Sequence, residues 1–185
     1  MISPRQLTPE VELRIASLDD APALADAYAR SWDHLSPWEP KRPANWLTPA
    51  GQLERLTMTL ERYKNGVVVP WLLFEDDRVV GSFTLQDVVP GPFRSASIGY
   101  WLALDAVGRG LATRAVNLVA EIADTELKMH RIAASTMTRN VASQRVLERT
   151  GFVQIGLAPT YLHINGAWQD SNLYQRILND REPGA

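Results

Sequence analysis

The segment richest in chemistry is Val107-Gly108-Arg109-Gly110-Leu111-Ala112-Thr113. Two glycines flank an arginine directly ahead of an apolar pattern. Leu111, Ala115, Leu118, Val119 and Ile122 fall at i, i+4, i+7, i+8 and i+11, the spacing of one helix face. The first turn of a helix carries unpaired N–H groups and the positive end of the peptide dipole, so it attracts anions. Glycine lets the backbone bend and a ligand approach with no Cβ in the way, and small Ala112 keeps that approach open. Amides from 109 to 113 could therefore cradle a pyrophosphate. The segment is not a P-loop, because the Lys-Ser/Thr pair is absent. Nor is it a dinucleotide fingerprint, since the third glycine and the later acidic residue are missing. A tight strand-to-helix turn accounts for the same glycines equally well.

A second constellation is Asn140-Val141-Ala142-Ser143. Asn140 suits a helix N-cap and Ser143 its first turn. Equally, both polar side chains would stand at the carboxyl end of a strand beside the glycine loop, where ligands of α/β sheets bind. There they could hydrogen-bond a ligand's amides and its reacting atom.

Composition narrows what these groups can do. The chain has 185 residues, 45% hydrophobic and 22% charged, as in an ordinary soluble domain with its own core. There are no cysteines, so disulfides, thiolate metal sites and a cysteine nucleophile are excluded. The three histidines (His34, His130, His163) are too far apart for a local zinc motif, and no metal site is expected. No apolar run approaches a membrane span, and the first ten residues lack a signal-peptide core, so a cytoplasmic protein without membrane attachment is expected. The net charge of −2 speaks against direct nucleic-acid binding. Its division is uneven. Residues 1–92 hold nine basic and thirteen acidic side chains, residues 93–185 ten and eight, and nine of those ten cations are arginines. An arginine fork suits phosphate, although an arginine-rich surface explains the count as simply.

The elements that must position these groups follow from pattern. Residues 10–15 alternate weakly as a strand. Ser17-Leu18-Asp19-Asp20 opens a helix on which Leu24, Ala27, Tyr28 and Ser31 share a face. Residues 32–47 lose periodicity and read as a loop with three tryptophans (Trp32, Trp38, Trp46) and three prolines. Thr48-Pro49 caps a second helix that ends at Asn65-Gly66. Residues 67–75 and 78–89 are strands around an Asp76-Asp77 turn. Residues 94–104 form another strand, with Ile98, Tyr100 and Leu102 on one face, and Gly99 inside it signals a bulge or a close backbone approach. After the helix from Leu111 come a buried strand at 131–138 and a helix at 140–150 stopped by Gly151. A closing hairpin spans 152–164 and 168–178 around Asn165-Gly166. Residues 1–9 read as an extension, 10–180 as one domain and 181–185 as a loose, disordered tail. The order β-α-α-β-β-β-α-β-α-β-β is that of an α+β, mixed-sheet domain.

Taken in order, these residues resemble the GCN5-related N-acetyltransferase (GNAT) superfamily, most closely its Rim-type branch of ribosomal-protein alanine N-acetyltransferases. Ile98-Gly99-Tyr100-Trp101-Leu102 is similar to the family's fourth strand, Gly108 to Thr113 to its pyrophosphate loop, and His130-Arg131-Ile132 to the start of its fifth strand. Asn140 to Leu147 with Gly151-Phe152 is similar to the helix that follows. Leu35-Ser36-Pro37-Trp38, Trp168-Gln169-Asp170 and Leu173-Tyr174 match an early loop and the last hairpin. The resemblance spans residues 10–178, and 98–152 is its specific part.

The resemblance implies a twisted mixed sheet of about seven strands, flanked by about four helices, whose fourth and fifth strands splay apart around acetyl-CoA. Backbone groups of Tyr100, Trp101 and Leu102 would pair with the pantetheine arm. Amides of Gly108, Arg109, Gly110, Leu111, Ala112 and Thr113 would bind pyrophosphate. Asn140 would hold the pantetheine, and Ser143 would lie near the thioester sulfur as the acid for the departing thiolate. Arg109, Arg114, Arg139 and Arg145 would neutralise phosphate. A neutral amine would attack the acetyl group directly, with a backbone N–H near Trp101 or Leu102 polarising the carbonyl. Where some Rim-type enzymes have a carboxylate before the last hairpin turn, this chain has Leu162, and His163 should point to the other face. Val107 stands where the family often has Gln or Arg. Glu39, Asp87 and Asp170 remain as acidic candidates beside a water chain with no dedicated base. The loop at 32–46 would cover the acceptor pocket, or simply pack as a secondary core, and Trp38, Glu39, Asp87, Tyr161 and Asp170 are the expected acceptor contacts. A protein N-terminus is the leading acceptor. A small amine, or an acyl-CoA-binding module without catalysis, are the alternatives, and a homodimer is left open.

Overall fold

The computed structural model describes residues 2–183. One strand, Val68–Glu75, shows how the layers arise. Val69, Trp71 and Leu73 point to one side of it and Leu72 and Phe74 to the other, and each set joins a different apolar cluster. A strand buried on both faces needs helices on both sides, and the chain supplies them.

The strands are β1 (Arg5–Thr8), β2 (Val11–Ile15), β3 (Val68–Glu75), β4 (Arg78–Val89), β5 (Ser95–Leu102), β6 (Arg131–Met137), β7 (Val153–Ile164) and β8 (Ala167–Ile177). They form one sheet in the order β1-β2-β3-β4-β5-β6-β8-β7. The helices are α1 (Ala21–Leu35), α2 (Pro49–Lys64), α3 (Leu111–Thr125) and α4 (Val141–Arg149). Leu24, Ala27 and Tyr28 of α1 and Leu56 of α2 cover one face. Leu111, Ala115, Val116, Val119 and Ile122 of α3, with Leu147 of α4, cover the other.

All neighbouring strands are antiparallel except β5 and β6, which α3 joins as a parallel crossover. That pair holds for three residues only: Ser95↔Arg131, Ala96↔Ile132 and Ser97↔Ala133. Beyond it β5 continues on β4 as far as Leu102↔Gly81, and β6 continues on β8 as far as Met137↔Ser171. The two strands therefore diverge at their carboxyl ends, as the family resemblance implies.

Three features differ from the sequence expectation. The extension at residues 1–9 carries β1, which pairs with β2. Its four residues, Arg-Gln-Leu-Thr, have no apolar alternation to announce a strand. The supposed loop at 32–47 begins inside α1, which runs to Leu35 because Leu24, Tyr28, Ser31 and Leu35 form a single buried stripe. A 3₁₀ turn at Ser36–Trp38 follows. The start of the tail is tied down: Arg94 donates to the carbonyls of Arg181 at 3.3 Å and Glu182 at 2.9 Å. Residues 184 and 185 of that predicted tail lie outside the described residues, as does Met1.

Tyr28 is buried among Trp32, Trp46 and Trp101, its ring 4.6 Å from that of Trp101. Burial pushes its phenol up to about 12. An unfolded chain releases the same proton near pH 10, so this contribution to stability is complete below that pH and is lost as pH rises toward 12. The unfolding free energy in urea should fall across pH 10–12. Tyr28→Phe should flatten that fall by about 1.4 kcal/mol for each pH unit crossed in that window.

Candidate functional site

The gap between β5 and β6 is a cavity of about 170 Å³. Its wall includes Gly99 and Tyr100 of β5, Thr136 and Met137 of β6, and Asn140 and Ser143 at the start of α4. Trp38, Leu162, Ile164 and Ser171 line it as well. Gly99 has no bulge and an ordinary φ. A Cβ there would stand 3.4 Å from the Gln86 side chain, so its small size keeps the strand surface low beside the cavity.

Asn140 is an N-cap. Its Oδ1 accepts a hydrogen bond from the Ser143 amide at 3.1 Å. Capping and cavity lining are thus the same placement, because the cap fixes the first turn of α4 against the opening. The Ser143 hydroxyl lies 3.0 Å from the Tyr100 phenol. Burial, the larger effect, pushes that phenol up to about 12 despite the Ser143 contact, so Tyr100 keeps its proton. A phenol that stays protonated can donate to the serine oxygen and leave the serine proton free for a third atom.

The glycine loop adopts the geometry an anion cradle needs. Gly108 and Gly110 have φ of 81° and 75°, values that favour glycine, and a Cβ at either would face open space. Gly110 is the N-cap of α3 and supplies no side chain to the first turn. The amides of Leu111, Ala112 and Thr113 thus lack intrahelical acceptors and side-chain caps. A phosphate fits here on both geometry and dipole. The Arg109 side chain turns away to form an ion pair with Glu75, which holds the Glu75 carboxyl below the usual carboxylate range. Only the Arg109 backbone remains for the cradle. Arg114 and Arg145 are exposed, while Arg139 lies over the Trp38 ring, 5.3 Å from its centroid. A larger cavity of about 530 Å³ lies among Glu10, Glu12, Asp19, Asp76 and Asp77, with Arg14 also in its wall. Its acidic wall repels the anion that the glycine loop attracts.

Along β5, Tyr100 and Leu102 join the cluster under α3, while Trp101 points to the opposite cluster against Tyr28. From Ile98 onward the edge facing β6 has no strand partner, so its backbone groups are open to an extended ligand.

Of the five expected acceptor contacts, only Trp38 lines the cavity. The Glu39 carboxylate is largely buried in an ion pair with Arg42. Asp87 sits at a β4 irregularity beside the paired foot of β5, away from the opening. Asp170 Oδ1 accepts from the Thr160 amide at 2.8 Å and holds a left-handed residue in the β7 irregularity. Tyr161 is exposed beside it. Leu162 and Ile164 face the cavity, and His163 points away to meet Trp168, as strand alternation requires. Among the described residues, no Asp, Glu or His lines this cavity. Leu162 lines the cavity at the position where the sequence reading looks for a carboxylate, and Gly99 serves as a close approach. The Tyr100 side chain, Ile164 and Ser171 are site residues the sequence reading missed. The alternation that put Tyr100 beside Ile98 and Leu102 was the available signal for the first.

A split parallel pair, an uncapped glycine-led helix at its mouth and a capped serine at its end define an acyltransferase of the GNAT type. The chain belongs to that family: the family model for an acetyltransferase (GNAT) domain matches residues 10–153. It is an N-acetyltransferase by that membership. The ribosomal protein uS5-alanine N-acetyltransferase of Escherichia coli strain K12 is 34% identical over 182 residues, covering 97% of this chain and 94% of that one. The crystal structure of ribosomal-protein-S5-alanine acetyltransferase from Vibrio fischeri superposes with a TM-score of 0.92 at 32% identity, over 98% of this chain and 100% of that one. Mycobacterium smegmatis RimJ in complex with CoA-disulfide gives a TM-score of 0.86 at 32% identity, over 90% and 81% of the two chains.

Asn140→Ala removes the cap that orients Ser143. The variant should be less stable by about 1 kcal/mol in urea unfolding, and the loss should be absent in Asn140→Asp, which keeps an acceptor oxygen.

Proposed function

We propose that this N-acetyltransferase transfers acetyl from acetyl-CoA to the N-terminal α-amine of a ribosomal protein. It would work in the cytoplasm, with no nucleic acid or membrane in the reaction. The observation that carries the reading is the opening itself: the free edge of β5 and the Tyr100–Ser143 pair border one cavity, and the uncapped start of α3 follows β5 along the chain. The full-length likeness to ribosomal-protein alanine N-acetyltransferases supports a protein acceptor.

Bound acetyl-CoA would supply an activated acyl group with a good leaving thiolate. Around it the chain's residues have separable tasks. The free β5 backbone from Tyr100 to Leu102 would align the pantetheine amides, as a further strand would. The amides of Gly108 to Thr113 would bind the pyrophosphate, with Arg114 and Arg145 close in sequence to the two helix starts as exposed cations. A backbone N–H of the same β5 edge would polarise the carbonyl, a fixed dipole in a water-poor gap. The Ser143 hydroxyl would donate its proton to the sulfur as it departs, while the Tyr100 phenol donates to the serine oxygen. The cavity wall offers the amine no carboxylate, so the amine would attack after losing its proton to water. This suits an α-amine, whose ordinary pKa near 8 leaves a usable neutral fraction.

Thiol release from acetyl-CoA should occur with peptides bearing a free N-terminus and vanish when that terminus is blocked. Release with small amines alone would replace the protein acceptor by a small one. Binding of CoA with no release would leave a binding module.

Gly110→Val forces a branched side chain to a φ of 75° and should weaken CoA binding at least about tenfold through the strained cradle. Ser143→Ala should keep CoA affinity and lower kcat by about a hundredfold, the usual scale for a proton donor. Calorimetry and steady-state kinetics separate the two.

A further inference from the structure

The chain contains a buried polar group that the preceding mechanism does not use. Ser171 of β8 is fully buried, and its hydroxyl has no hydrogen-bond partner among the described residues. In register it stands opposite Met137 on β6 and Ala158 on β7, neither of which offers a polar side chain. The residue borders the same cavity as Tyr100, Asn140 and Ser143. An unpaired hydroxyl in such a place is a cost that alanine would avoid. A partner that arrives only with substrate removes that cost.

The placement selects the partner. Tyr100, Asn140 and Ser143 occupy the β5 and α4 side of the cavity, where the thioester would lie. Ser171 belongs to the closing hairpin, with Leu162 and Ile164, the wall that an incoming amine would meet. We propose that the Ser171 hydroxyl accepts a hydrogen bond from the N–H of the acceptor's primary amine and turns its lone pair toward the acetyl carbonyl. This rests on the acetyltransferase reading above. A serine hydroxyl moves among staggered positions by one torsion, which brings it from strand packing to the bordering cavity. No bond to Ser171 is made or broken.

A neutral acceptor also answers the absence of a carboxylate. A carboxylate beside the amine would favour the ammonium form, which has no lone pair to attack with. A hydroxyl holds the nitrogen without adding that bias, and the apolar side chains of Leu162, Ile164 and Met137 disfavour the charged form further. The ligand class is therefore a neutral primary amine carried on a chain slim enough for a cavity of about 170 Å³.

The test compares wild type with Ser171→Ala in four measurements: thermal midpoint, CoA affinity, peptide acetylation kinetics, and peptide affinity in the presence of CoA. The expected result is an equal or higher midpoint, unchanged CoA affinity, kcat/KM for the peptide lower by about tenfold or more, and weaker peptide binding. An unchanged kcat/KM and peptide affinity overturns the proposal. So does a lowered midpoint with catalysis falling only in step with folded fraction, since the hydroxyl would then be serving the fold. If wild type acetylates no amine, the functional reading fails on its own, and the Ser171 proposal is then decided by peptide affinity in the CoA complex.

Discussion

Everything functional in this molecule depends on two adjacent parallel strands that stop pairing. β5 and β6 share three residue pairs and then part. Unpaired backbone at the centre of a sheet is costly, so something must keep the strands from closing. On one side β4 carries β5 to its end, and on the other β8 carries β6 to its end. Each strand is thus committed to a different neighbour, and the right-handed twist of the sheet separates the neighbours as the strands lengthen. The cost falls on two short edges, Ile98 to Leu102 of β5 and Ala134 to Met137 of β6, and the free amides and carbonyls of the first suit an amide-bearing arm.

The same split organises the helices. α3 must cross from the end of β5 to the start of β6, so its N-terminus lies at the open end and its apolar stripe lies under the sheet. α4 starts immediately beyond β6, so its N-terminus also lies at the opening. Two helix starts, each with unpaired amides and a positive dipole end, therefore meet the mouth of one gap. They are used differently. Gly110 leaves the first turn of α3 without a side-chain cap and open to an anion, whereas Asn140 caps α4 and so fixes Ser143 beneath the Tyr100 phenol.

Much of this was legible in the residues. The Gly108–Thr113 loop, the cap-like Asn140, the Thr48-Pro49 helix start and the two hairpin turns each carry a local physical signal, and each forms where it was expected. The acceptor wall was not legible, and the reason is physical. Glu39, Asp87 and Asp170 stand out in the sequence because carboxylates can take protons. What a carboxylate does, however, depends on neighbours that the sequence does not show. Arg42 holds Glu39, the Thr160 amide holds Asp170, and a β4 irregularity carries Asp87 away from the opening. β1 was missed for a related reason. A four-residue edge strand draws its stability from the partner's backbone and needs no apolar pattern of its own.

The acceptor wall is also where the chain is held by contacts distant in sequence. The turn that carries Trp38 is joined to α4 through Arg139, which donates to the Pro37 carbonyl at 3.4 Å and lies over the indole. It is joined to the closing hairpin through the Asn165 amide, which donates to the Glu39 carbonyl at 3.0 Å. The proposed CoA side of the gap, by contrast, is built mostly from continuous elements, with β5, the glycine loop and α3 following one another along the chain and only the start of α4 joining from farther on. A ligand common to a whole family can be met by a continuous motif, whose geometry survives changes elsewhere. On the proposed reading the choice of amine rests on a wall assembled from the turn after α1 and the β7–β8 hairpin, facing the start of α4 that presents Ser143 to the thioester. Substitutions in any of these reshape the acceptor cavity while leaving the phosphate cradle intact. This division explains how the cosubstrate can be read from one stretch of sequence, whereas the acceptor has to be read from the assembled fold.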